Sequence, residues 1–215
     1  MSDRINVMIV EDQAIPRQLF ESIVKSDDRL NLVLSIDDAR IADICCLRHR
    51  ISLVLMDVVT KDGASGLIAA KKIKEKDDRI KIIIVTSMPE CSYMDRAKEI
   101  GVEGFWYKDF SSEPIHSLID KVLEGKKVYP EQRPKVSLGL AEDSEFTKRE
   151  LEILREVMGG YTNAEIAEKF GISEKRVRNL VAGMLEKTGF RSRTELAVRA
   201  RETGLVILEH EENDI

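Results

Sequence analysis

Four short apolar runs in the first half of the chain each end on a reactive side chain. Val7-Met8-Ile9-Val10 runs into Glu11 and Asp12, and Leu53-Val54-Leu55-Met56 into Asp57. Ile82-Ile83-Ile84-Val85 ends at Thr86, and Gly104-Phe105-Trp106-Tyr107 at Lys108. Continuous apolar runs of this length, separated by longer amphipathic stretches, read as buried parallel strands alternating with helices. The pattern predicts strands near residues 5–10, 31–36, 52–57, 81–86 and 104–107. Helices near 14–26, 38–49, 64–76, 90–100 and 112–124 fill the gaps. Strand and helix units in this order imply an α/β doubly wound, five-stranded parallel sheet covered on both faces. The carboxyl ends of its strands share one edge, where ligands bind in open α/β folds. Three carboxylates, a hydroxyl and an amine are therefore expected to meet in one crevice.

From residue 125 to about 145 the periodicity stops, and Pro130 and Pro134 mark a linker. Beyond it no strand signal survives, and the pattern predicts an all-α domain of four short helices. Thr147 with Glu150, and Thr162 with Glu165, have capping-box spacing ahead of amphipathic runs. Gly159-Gly160 stops the first helix, and Gly171-Ile172-Ser173 separates the second from a longer third. Two helices joined by a tight glycine-containing turn form a helix-turn-helix. On the longer helix Val177, Leu180, Val181, Met184, Leu185 and Thr188 share one face. Lys175, Arg178, Asn179 and Ala182 share the other, with Arg176 at its flank. Such a helix suits the DNA major groove, with arginine on phosphate or guanine and Asn179 on adenine. Taken alone it is equally compatible with a solvated charged face, since Glu174 and Glu186 lie there too. The expected boundaries are 1–124 for the α/β domain, 125–142 for the linker, 143–208 for the helical domain and 209–215 for an acidic tail.

Charge sharpens this division. The whole chain has a formal net charge of −5, but the balance is acidic over residues 1–145 and basic over 146–203. An acidic half joined to a basic segment suggests partners of opposite character. No stretch approaches the roughly 20 apolar residues needed to span a bilayer, and no signal-peptide pattern precedes the first strand. Cys45, Cys46 and Cys91 lack metal-type spacing and read as reduced thiols, so a cytoplasmic protein without a membrane partner is expected.

In the crevice, Glu11, Asp12 and Asp57 offer the hard oxygen ligands that Mg²⁺ prefers. Asp57 is the candidate nucleophile, because a carboxylate can attack a phosphoryl group to form an acyl phosphate. Lys108 would offset charge on the phosphate oxygens, and the Thr86 hydroxyl would hydrogen-bond one of them. A phosphohydrolase using an aspartyl phosphate usually needs a second acid two residues after the nucleophile. Val59 stands there, which argues against substrate turnover and against an enzyme.

Glu11-Asp12, Asp57, Thr86-Ser87 and Lys108, placed as they are, resemble the receiver domain of two-component response regulators over roughly residues 4–124. That resemblance implies a flavodoxin-like fold, with Asp57 as phospho-acceptor fed by a sensor histidine kinase or a small acyl phosphate. It implies that the backbone carbonyl of Val59 joins Glu11, Asp12 and Asp57 around Mg²⁺. It also implies that Thr86 and Phe105 form a switch pair, although plain core burial explains Phe105 equally well. Two features depart from the family: Asp109 follows the lysine where proline is frequent, and Thr60-Lys61 replaces a usual apolar step after the acceptor.

The second half resembles the LuxR-type DNA-binding domain over about residues 143–207. The resemblance rests on Phe146-Thr147-Lys148-Arg149-Glu150-Leu151, on Tyr161-Thr162-Asn163-Ala164-Glu165-Ile166-Ala167, on Val177-Arg178-Asn179-Leu180 and on Gly189-Phe190-Arg191-Ser192-Arg193-Thr194-Glu195. Leu180 stands where that family usually has histidine. The expected contacts to double-stranded DNA are Lys175, Arg176, Arg178, Asn179, Thr162, Asn163 and Lys187. Leu196, Val198 and Ala200 on the last helix are candidates for pairing two copies, and burial within one copy explains them as well. The combined pattern is that of the NarL/FixJ response regulators. It implies a transcription regulator whose dimerisation and DNA binding follow phosphorylation, with RNA polymerase as a further candidate partner. The alternative is a phosphorylation-independent DNA-binding regulator whose receiver serves only to dimerise.

Overall fold

In the computed structural model, residues 4–131 and 134–206 are described. They fall into two compact units, one of residues 4–87 and 92–131, the other of residues 88–91 and 134–206. The acidic tail expected at 209–215 lies outside the described residues.

The first unit alternates strand and helix as the apolar runs require. Strands β1 (Ile5–Val10), β2 (Leu30–Ile36), β3 (Leu53–Asp57), β4 (Lys81–Thr86) and β5 (Gly104–Tyr107) alternate with helices α1 (Ala14–Ser26), α2 (Ala42–His49), α3 (Gly66–Lys76), α4 (Cys91–Ile100) and α5 (Ile115–Leu123). All four pairings are parallel, in the order β2-β1-β3-β4-β5. The chain leaves β1 for one edge and returns on its other side as β3, so the switch point lies between β1 and β3. Val7, Ile9, Leu53, Leu55, Ile83 and Val85 point to the face that packs against Phe20 and Val24 of α1 and Ile115, Leu118, Ile119 and Val122 of α5. The intervening residues, Met8, Val54, Met56, Ile82 and Ile84, are equally inaccessible on the opposite face. That two-sided burial is why these strands read as unbroken apolar runs rather than alternating ones.

Part of the stretch expected as linker lies along this sheet. The Phe105 amide donates to the Val128 carbonyl at 3.0 Å, and the Val128 amide to the Glu103 carbonyl at 2.8 Å. Residues just after α5 thereby cover the open edge of β5, satisfying groups an edge strand otherwise exposes.

The second unit contains a short antiparallel hairpin, β6 (Ser137–Leu138) and β7 (Ala141–Glu142), where no strand was expected. Two-residue strands are too short to leave a periodic signature. The turn is recorded only by Gly139, whose φ of 63° favours glycine. Four helices follow: α6 (Lys148–Met158), α7 (Asn163–Phe170), α8 (Glu174–Thr188) and α9 (Arg193–Thr203). Thr147 and Thr162 close reciprocal capping boxes with Glu150 and Glu165, and Ser173 and Ser192 cap α8 and α9. Their apolar faces meet around Leu154, Ile166, Val177, Val181, Met184 and Leu196.

Candidate functional site

The four strand-end groups of the first unit converge. Lys108 Nζ lies 2.5 Å from Glu11 Oε2 and 2.8 Å from Asp57 Oδ2, which ties the ends of β1, β3 and β5 together. Asp57 Oδ1 accepts from the Val58 amide at 2.7 Å, and Glu11 Oε1 from the Gln13 amide at 3.1 Å. Glu11, Asp57 and Thr86 are buried, whereas Asp12 is exposed at the mouth. The Lys108 amide donates to the Thr86 carbonyl at 2.8 Å, which sets the lysine beside the end of β4.

Burial pushes the Asp57 carboxyl up to about 7; the Lys108 cation pulls against this, and the Glu11 charge adds to it. Burial also works against the Lys108 ammonium, yet Asp57 and Glu11 together hold its pKa above the ordinary lysine value. The crevice thus holds three carboxylates against one ammonium and favours additional positive charge. One oxygen from each of Glu11, Asp12 and Asp57 can be chosen so that all lie within 4.8 Å of one another. An all-oxygen donor set of that span and charge fits Mg²⁺, which takes one or two carboxylates and completes its shell with water and phosphate oxygens.

The loop after Asp57 is ordered by its backbone. The Gly66 amide donates to the Val58 carbonyl at 2.7 Å and the Thr60 amide to the Ala64 carbonyl at 2.9 Å, bracketing a bridge between Val59 and Ser65. Neither bond uses the Val59 carbonyl, the group expected to help hold the cation. Gly66 is a site residue that sequence reasoning missed. A Cβ there would stand 1.8 Å from the Asp57 carbonyl oxygen, so only glycine lets α3 start this close to the acceptor strand. Its signal was a glycine directly after the α3 N-cap Ser65. Phe105 is fully buried and meets Tyr107 edge-on, with ring centroids 5.0 Å apart. This is the core position that either reading of Phe105 allows.

The second unit separates its expected DNA contacts into two groups. Lys175, Arg176, Arg178 and Asn179 are all exposed on α8, where Arg178 pairs with its helical neighbour Glu174 at 3.0 Å. The other three are engaged inside the unit. Lys187 Nζ lies 2.8 Å from both Glu150 oxygens and donates to the Glu145 carbonyl at 2.8 Å. A carboxylate buried at the start of α6 requires a counter-charge, and Lys187 supplies it. Burial works against the Glu150 charge, but Lys187 and Thr147 hold its carboxyl below the usual glutamate range. Thr162 caps α7, and Asn163 Oδ1 accepts from Arg193 Nη1 at 2.7 Å. Arg193, not among the expected site residues, also donates to the Tyr161 carbonyl and ties α9 to the start of the helix-turn-helix. The pairing candidates on α9 divide in the same way, between the interior and the surface. Leu196 and Ala200 are wholly inside the core, and of the three only Val198, 50% exposed, faces outward.

The description "Response regulator receiver domain" matches residues 7–120, and "Bacterial regulatory proteins, luxR family" matches residues 144–200. The transcriptional regulatory protein DesR of Bacillus subtilis is 31% identical, with 93% of this chain and 98% of DesR aligned. The oxygen regulatory protein NreC of Staphylococcus carnosus is 30% identical over 89% of this chain and 94% of its own. Among solved structures, RcsB of Salmonella enterica serovar Typhimurium, bound to a promoter in the presence of phosphomimetic BeF₃⁻, superposes with a TM-score of 0.61. It covers 95% of this chain and 100% of that one at 19% identity, a likeness of fold.

Proposed function

From a chain that belongs to the two-component response regulators with a LuxR-type DNA-binding domain, we propose a phosphorylation-dependent transcription regulator in which Asp57 is the acceptor. The observation that carries this reading is the contact of Lys108 with both Glu11 and Asp57, at 2.5 and 2.8 Å, beside the end of β4. An Asp57 oxygen attacks the phosphorus of a kinase phosphohistidine or of a small acyl phosphate. The new O–P bond forms as the old P–N or P–O bond breaks, and the leaving group departs with that electron pair. Bound Mg²⁺, held by Glu11, Asp12, Asp57 and the Val59 carbonyl, would neutralise charge on the transferring group. Lys108 shifts from its carboxylate partners to the new phosphoryl oxygens, and the Thr86 hydroxyl donates to another. The consequence assigned to Thr86 and Phe105 is a population shift of the receiver, residues 1–124, towards a state that dimerises.

Ile15 and Leu19, 81% and 53% exposed, lie one helical turn apart on α1, just beyond Asp12. They support docking of a sensor kinase over the acceptor. In the domain of residues 143–208, Lys175, Arg176, Arg178 and Asn179 contact DNA. Two linked copies reading two half-sites bind more tightly than one. Among the described residues no helix is long and apolar enough to cross a membrane. The working compartment is the cytoplasm, with DNA and RNA polymerase as partners. Operator binding and sedimentation, with and without acetyl phosphate, test this reading. Wild type gains dimer and DNA affinity on phosphorylation, and Asp57→Ala does not. Equal binding by Asp57→Ala and phosphorylated wild type would establish the phosphorylation-independent alternative instead.

A further inference from the structure

Thr60, three residues after the acceptor, is buried to 2% exposure in a loop where side chains are otherwise mostly charged or small. Its hydroxyl accepts from the Ala39 amide at 3.0 Å and donates to the Ala64 carbonyl at 3.2 Å. Its own amide donates to that same Ala64 carbonyl at 2.9 Å. The next residue repeats the link, because the Lys61 amide donates to the Asp37 carbonyl at 3.1 Å. One threonine thus joins the loop after β3 to the segment after β2. The loop it closes includes two left-handed residues, Asp62 with φ 55° and Gly63 with φ 76°. An aspartate tolerates that conformation better than most side chains, at a cost that the surrounding bonds offset.

The consequence reaches the crevice through the peptide plane. The Thr60 N–H and the Val59 C=O belong to one planar trans unit, so fixing the direction of the first fixes the second, antiparallel to it. The Thr60 amide orients that plane against the Ala64 carbonyl, and the hydroxyl, bonded to the same carbonyl and to the Ala39 amide, holds that acceptor in place. We propose that Thr60 is a positioning residue for the cation site: it aims the Val59 carbonyl and holds the acceptor loop in its binding geometry. This rests on the reading of Glu11, Asp12, Asp57 and Val59 as a Mg²⁺ site. It assigns to Thr60 a duty that an apolar residue in its place would leave to other contacts. Partners of this kind, once removed, commonly lower metal affinity about 10- to 100-fold.

The test is calorimetric titration of the full chain with Mg²⁺, for wild type, Thr60→Val and Thr60→Ser, with a thermal melt of each. Thr60→Val keeps the shape and deletes both hydroxyl bonds. It is expected to raise the Mg²⁺ Kd by about tenfold or more, while Thr60→Ser stays within about twofold of wild type. If Thr60→Val melts below the titration temperature, Thr60→Cys replaces it, with an intermediate rise expected from its weaker bonds. Wild-type affinity in the folded Val or Cys variant would overturn the proposal and leave the cation site standing. No Mg²⁺ binding by wild type would overturn the cation site itself, and the role of Thr60 with it.

Discussion

The strand-end crevice and the outer face of α8 both concentrate charge, but they do so under different constraints. In the crevice Glu11, Asp57 and Lys108 are nearly inaccessible, with 0%, 6% and 8% of their side chains exposed. A buried charge must find its partner among a few neighbours, and parallel strand ends supply those neighbours predictably. On the helix-turn-helix, charges sit where any nearby carboxylate or carbonyl can claim them. Lys187, Thr162 and Asn163 are claimed by Glu150, Glu165 and Arg193, while Lys175, Arg176 and Asn179 face outward. Burial therefore makes a site readable from position, whereas exposure leaves each residue's partner to tertiary detail.

The largest effect expected from this contrast is at Lys108. Lys108→Met leaves the buried Glu11 without its cation and drives Asp57 to take up a proton, and should destabilise the protein by about 2–4 kcal/mol in divalent-free buffer at neutral pH. Urea unfolding measures it, and a loss below about 1 kcal/mol would mean that the crevice is wetter than its geometry implies.

The strand half was legible because two-sided burial writes unbroken apolar runs and a parallel sheet sends every run's end to one edge. Glu11, Asp12, Asp57, Thr86 and Lys108 could thus be placed together without coordinates. Gly66 could not, since its importance is the absence of a Cβ against the Asp57 carbonyl. Thr60 likewise stood out only as a departure, because its Ala39 partner is 21 residues away in sequence. In the second half the caps and the helix-turn-helix were legible from local spacing. The β6–β7 hairpin was too short for any period to register. Nor did spacing reveal that Leu196 and Ala200 face their own core, because α9 is polar almost all round and carries little amphipathic signal.

Asp57→Asn should act in the opposite direction from Lys108→Met. The folded carboxyl is raised to about 7 from 3.8, so its protonation stabilises the fold at low pH. That contribution is full below about pH 4 and is lost as pH rises towards 7. Divalent-free wild type should lose on the order of 2–4 kcal/mol across this window relative to Asp57→Asn. Parallel pH profiles for the two proteins would contradict that assignment.

Lys187→Met sharpens the comparison from the other side. It removes the partner of Glu150, whose side chain is 8% exposed, and should cost about 1–3 kcal/mol of stability. Because Glu150 is held below its usual pKa, the stabilisation from this pair is present above about pH 4.5 and fades as pH falls. The variant's deficit should shrink in acid accordingly. If folded Lys187→Met instead lost DNA affinity with no change in melting, the lysine would be a DNA contact after all.

Arg178→Ala is the smallest effect. It should leave stability within about 0.5 kcal/mol, weaken DNA binding modestly and reduce the salt slope by about one unit if the contact is to phosphate. Unchanged binding across a salt series would remove Arg178 from the interface.

The central claim is that the buried crevice accepts a phosphoryl group on Asp57. Intact mass after incubation with Mg²⁺ and acetyl phosphate, for wild type beside Asp57→Ala, tests it most directly. A single phosphoryl addition to wild type alone is the predicted result. Equal addition to both proteins would move the acceptor elsewhere and contradict the account.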